Sequence, residues 1–190
     1  MGMKSKNKNG QKKKEEQSFF RELLSDLTTV AVIVGAFLIL SQIFFGLWTP
    51  MVVIESGSMQ PNMNIGDIVF IKSISRADPV SMQESIDNGS DYVKFKKPGD
   101  VILYRPYGNK KVTPIIHRAM YYVEEGEPMW EGGPAAPHAG YITKGDNELT
   151  NAVYDQQSAI CREPVKKEWI IGTSQFRIPL IGKIRLLMPF

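Results

Sequence analysis

A hydroxyl is a weak nucleophile near neutral pH. A serine that attacks a carbonyl therefore needs a base beside it, a group that holds the base, and donors for the oxyanion. Ser58 lies in the stretch Glu55-Ser56-Gly57-Ser58-Met59-Gln60-Pro61, where Gly57 permits a sharp bend and Pro61 fixes the exit, a turn that would present the Ser58 hydroxyl. The chain has two histidines, so the choice of base is narrow. His117 falls in the apolar run Ile115-Ile116-His117-Arg118, which reads as a strand, whereas His138 sits in a loop rich in Gly and Pro. A strand holds a base in fixed geometry, so His117 is preferred. Two acids compete to orient it. Asp146 stands in Thr143-Lys144-Gly145-Asp146-Asn147, a turn sequence in which Asp tends to bond its own backbone. Asp155 follows Val153 and Tyr154, an apolar pair that could seat it in the wall of a site, and Asp155 is the favoured acid with Asp146 as the alternative. Each piece also has a plain structural reading: a Ser-Gly-Ser turn, a core histidine bonded to a carbonyl, and an Asx turn.

These residues need a scaffold, and the sequence reads as strands. Met51 to Ile54 runs directly into the serine turn, and two apolar runs opened by turn residues follow, Gly66-Asp67-Ile68-Val69-Phe70-Ile71 and Gly99-Asp100-Val101-Ile102-Leu103-Tyr104. Further strands are expected at Ile115 to Val123, Gly140 to Lys144 and Glu168 to Ile171. Segments 73–98 and 124–139 are polar or rich in Glu, Gly and Pro, and read as surface insertions. Outside residues 27–48 no stretch holds a helical period over ten residues, so the domain is expected to be mainly β.

Between Asp26 and Glu55 there is no charged residue, and Thr28 to Trp48 is almost wholly apolar, long enough to cross about 30 Å of hydrocarbon as a helix. No small-x-small cleavage site precedes Trp48, so the segment reads as an uncleaved anchor at 27–48. Residues 1–26 carry seven Lys or Arg against four acidic residues, which places that segment in the cytoplasm and residues 49–190 outside. The remaining sixteen basic and sixteen acidic residues balance, so the formal charge of +3 belongs to the cytoplasmic segment and gives no footprint for nucleic acid. Cys161 is the only cysteine, which excludes an intrachain disulfide and argues against a structural metal site. Asn88-Gly89-Ser90 is a formal glycosylation triplet of a kind that occurs often by chance. The stretch Phe176 to Phe190 is apolar with interspersed Arg177, Lys183 and Arg185, and reads as a last strand or as a segment lying on lipid head groups.

Taken together, an N-terminal anchor, Ser-Gly-Ser-Met-x-Pro ten residues beyond it, a strand bearing His-Arg, and Thr-Lys-Gly-Asp-Asn with a later Asp resemble the type I signal peptidases. The resemblance runs from the anchor to Asp155. Histidine at 117, where the bacterial branch has lysine, is similar to the archaeal and endoplasmic-reticulum branch. The resemblance implies a catalytic domain like a β-barrel, close to the membrane, and a membrane-bound serine endopeptidase that cleaves signal peptides from secreted and membrane preproteins. It implies Ser58 as nucleophile, His117 as base, Asp155 or Asp146 as the orienting acid, and the Ser56 hydroxyl with the Ser58 N–H as oxyanion donors. The nine residues from Asp146 to Asp155 are a wider spacing than the family leads one to expect. No metal, nucleotide or organic cofactor is implied. The implied partners are signal peptides, the lipid bilayer and the secretion translocon. The implied location is the cell membrane, or the endoplasmic-reticulum membrane in a eukaryote. Two alternatives remain: a Ser/Lys enzyme using Lys110, Lys111 or Lys144, and a single-pass surface protein whose β-domain binds a partner without chemistry.

Overall fold

The structure is a computed structural model in which residues 5–179 are described, with side chains from residue 16 onward. It divides into two compact units, residues 1–43 and 44–190. The first is the body of helix α1, Ser5–Phe45. Within it Glu16–Phe45 has a window of mean hydropathy 2.3 and is long and apolar enough to cross a membrane. The helix stops three residues short of Trp48, at Gly46, whose φ of 69° is the left-handed conformation that commonly ends helices at glycine.

The second unit is built on six antiparallel strands: β1 (Met51–Val53), β2 (Ile68–Ser73), β5 (Val101–Tyr104), β6 (Ile115–Val123), β7 (Gly140–Lys144) and β8 (Ile170–Ile178). Their order across the sheet is β1-β2-β8-β5-β6-β7. A separate hairpin, β3 (Val93–Lys94) and β4 (Lys97–Pro98), and a six-residue helix α2, Met82–Asp87, occupy the 73–98 segment. Among the described residues β1 and β7 are the two ends of the sheet and do not pair, so a mainly β domain is present and a closed barrel is not shown. Phe176 to Ile178 belong to β8, and the remainder of the expected C-terminal segment, 180–190, lies outside the described residues.

Strand β5 explains why its sequence is apolar without alternation. It lies between β8 and β6, and all four of its residues are buried. Successive side chains point to opposite faces. Val101 and Leu103 join Ile54, Met59, Met63, Val69 and Ile71 on one side, while Ile102 and Tyr104 join Ala119, Tyr141, Cys161, Val165 and Ile170 on the other. The serine turn therefore packs on the first face through Met59 and Met63, and the second face stays available for a buried polar group.

Candidate active site

Register decides what shares a face. His117 pairs with Ile102, and Ala119 pairs with Thr143. Residues two apart on one strand share a face, so Tyr104 of β5, His117 of β6 and Thr143 of β7 lie on the same side of the sheet. Onto that side comes a single turn of 3-10 helix, Asp155–Gln157, which carries Asp155 into the interior at 1% exposure. His117 is 2% exposed, and its Nδ1 lies 2.9 and 2.8 Å from the two oxygens of Asp155. The carboxylate Oδ2 also accepts the hydroxyls of Tyr104 at 2.8 Å and Thr143 at 2.6 Å. Gln156, the next residue, accepts the backbone N–H of Thr143 at 3.0 Å and locks the helical turn to β7. An imidazole bonded to a carboxylate through Nδ1 presents Nε2 as the nitrogen that takes a proton.

Arg118 lies one residue further along β6 and so faces the other way. It is fully buried and takes Asp146: Nε donates to Oδ1 at 2.8 Å and Nη2 to Oδ2 at 2.7 Å. The other guanidinium hydrogens go to the backbone carbonyls of Lys94, Lys97, Pro98 and Gly99, so this charge also holds the β3–β4 hairpin. Asn62 donates to Asp146 at 2.9 Å. The expectation that Asp146 bonds its own turn is therefore overturned. That task falls to Asn147, whose side chain accepts the N–H of Leu149 and donates to the Gly57 carbonyl at 2.8 Å.

The loop after β7 also fixes the serine turn. The Asn147 N–H donates to the Ser58 carbonyl at 2.9 Å, and a Cβ at Gly145 would lie 2.6 Å from that same carbonyl oxygen, so no larger residue fits there. Ser58 is half-buried, and its hydroxyl lies 3.2 Å from that of Ser56. Among the described residues no hydrogen bond joins Ser58 to His117, and the Ser58 N–H has no partner. Ser56, Ser58 and His117 line one cleft of about 630 Å³ with Leu103, Ile115 and Ile160. Its rims are strand edges: among the described residues β1 pairs only with β2, and Ile115 to His117 pair only with β5.

The other candidates stand elsewhere. His138 is half-buried, with Nε2 3.2 Å from Glu163 and its ring edge-on to Trp169. Lys144 donates to the Ala152 carbonyl, and Lys110 and Lys111 are exposed. Among the described residues no three His, Cys, Asp or Glu side chains gather to hold a metal. Tyr104 and Thr143 were not singled out from the sequence. The signal was present, since strand alternation puts both on the face of His117, but it needs the strand pairing to be read.

A histidine on the sheet, bonded to a buried carboxylate, thus lines one cleft with two serine hydroxyls. No family profile matches the chain. Proteins similar to it over most of its length include signal peptidase complex catalytic subunits. It is 26% identical over 140 residues to the signal peptidase complex catalytic subunit sec11 of Sclerotinia sclerotiorum, covering 74% of this chain and 64% of that protein. It is 28% identical over 144 residues to the subunit SEC11 of Eremothecium gossypii, covering 74% and 66%. With SEC11C of Homo sapiens the identity is 25% over 174 residues, covering 88% and 73%. The chain thus spans about two thirds of the length of the two fungal relatives.

Proposed function

We propose that the protein is a membrane-anchored serine endopeptidase that removes signal peptides from exported preproteins. His117, bonded to buried Asp155 and lining one cleft with Ser58, carries this reading. In it the Ser58 oxygen attacks the scissile carbonyl carbon as its proton passes to His117 Nε2. The oxyanion takes hydrogen bonds from the Ser58 N–H and the Ser56 hydroxyl. When the C–N bond breaks, His117 gives the proton to the leaving amine. Water, deprotonated by the same nitrogen, then releases the acyl group from Ser58. Asp155 keeps the ring in the tautomer that leaves Nε2 unprotonated, and balances the imidazolium that forms. An extended peptide fits between the two strand edges of the cleft, where its backbone finds unpaired partners.

The anchor supplies the substrate class. Ten residues from Trp48 to Ser58 reach at most about 35 Å, so the nucleophile works near the outer membrane surface, where a signal peptide emerges from the bilayer with its small-x-small site. The charge asymmetry about the apolar helix supports residues 1–26 in the cytoplasm, 27–48 in the membrane and 49–190 outside as the catalytic domain. The bilayer and the secretion translocon are then its neighbours, in the cell membrane or, in a eukaryote, the endoplasmic reticulum. The test is cleavage of a preprotein carrying Ala or Phe just before the cut. A shallow apolar pocket rejects the ring, so Ala is processed and Phe is not. Equal processing of both would overturn the reading.

A further inference from the structure

We infer that Tyr104 is a positioning residue of this site: its buried phenol holds the Asp155 carboxylate against His117 Nδ1. The inference rests on the triad reading above. Tyr104 is fully buried in β5 and donates to Asp155 Oδ2 at 2.8 Å, and Thr143 donates to the same oxygen at 2.6 Å. Oδ2 thus serves two hydroxyls and one branch of the His117 contact, while Oδ1 serves the other branch at 2.9 Å. Each hydroxyl draws charge from the carboxylate that faces the imidazole. A weaker negative potential at Nδ1 favours the neutral ring, which is the form that acts as base. The phenol stays a donor throughout, because burial and then the Asp155 charge hold its pKa well above the ordinary tyrosine range.

The packing of the ring does not need the oxygen. Tyr104 sits among Ile102, Ala119, Tyr141, Cys161, Val165 and Ile170, a cluster into which a phenylalanine fits equally well. The hydroxyl is therefore explained by its polar partners, Asp155 at 2.8 Å and Thr143 at 3.4 Å. The groups that face the pair from other elements leave Asp155 as the controlling charge. Cys161, in the segment after Asp155, is a thiol whose pKa burial pushes up. Glu55 and the Ser58 hydroxyl lie on the cleft side. Arg118 is committed to Asp146 on the opposite face.

The experiment is a pH profile of kcat/KM for the full chain in detergent, cleaving a synthetic preprotein peptide with alanines before the cut. Removing the phenol hydroxyl leaves the carboxylate more negative toward the ring and less firmly held against Nδ1. In Tyr104→Phe the acid limb moves up by roughly half a unit. On the same reasoning kcat falls about tenfold with KM unchanged. Thr143→Val shifts the limb in the same direction, and Thr143→Ser, which keeps the hydroxyl, restores the wild-type profile. If Tyr104→Phe keeps the wild-type limb and loses turnover only in proportion to lost folded protein, Tyr104 is a packing residue and the inference fails. Ser58→Ala run alongside separates the two levels. Cleavage by that variant overturns the triad reading and this inference with it, whereas an inert Ser58→Ala beside an unshifted Tyr104→Phe overturns the inference alone.

Discussion

His117 and Arg118 are adjacent in sequence and belong to different regions of the molecule. On one face of β6 the imidazole meets Asp155, and His117 lines a cleft together with Ser58. On the other face the guanidinium meets Asp146 and is closed off, with its hydrogens spent on that carboxylate and on four backbone carbonyls. Both carboxylates are buried and fully bonded, yet they do different work. A buried carboxylate facing a fixed cation organises structure, because neither partner changes charge. On the proposed function, a carboxylate facing an imidazole serves chemistry, because that ring can gain and lose a proton. Burial and hydrogen-bond count do not separate the two. The partner does.

The contrast is broken most severely at Asp155. Asp155→Asn keeps the shape and loses the tautomer lock, so turnover falls by about 10⁴ while the fold survives. Single-turnover cleavage and a melting curve on the same sample check this, and normal cleavage would move the orienting role elsewhere. Asp146→Ala works in the opposite sense. It strands the buried charge of Arg118 and costs about 3 to 5 kcal/mol of stability, read as a lower urea midpoint, while the folded fraction retains most of its turnover. An Asp146→Ala protein that is fully stable but inert would place both carboxylates in one catalytic network. The smallest effect is expected at His138, whose partners are Glu163 and Trp169. His138→Ala should change stability by no more than about 1 kcal/mol and turnover by less than twofold.

The same contrast shows what was legible in the sequence. The strands were legible because turn residues open them and their apolar content follows their burial: Gly66-Asp67 precedes β2 and Gly99-Asp100 precedes β5. The last strand runs further than expected, since Gln175 and Arg177 are polar positions on a partly exposed edge of the pattern. The β3–β4 hairpin and α2 were hidden because two-residue strands and a six-residue helix carry no period. Closure into a barrel is not legible in the sequence, since it depends on whether the first and last strands pair. At the site, Asp155 could be favoured from its apolar neighbours. The burial of Asp146 could not be read, because Gly-Asp-Asn is the same string whether its acid caps a turn or neutralises an arginine 28 residues away. The alternation of β6 held the missing information, since two consecutive residues in a strand cannot share one carboxylate on one face.

The central claim is that Ser58 is the nucleophile served by His117 and Asp155. The most direct measurement is the single-turnover cleavage of a purified preprotein by the detergent-solubilised full chain, set against Ser58→Ala at matched folded concentration. The wild-type chain should release one mature product cut after a small residue, and Ser58→Ala should release none above the uncatalysed background. Cleavage by Ser58→Ala at the wild-type rate, or a folded wild-type chain that cuts no preprotein, would contradict the account.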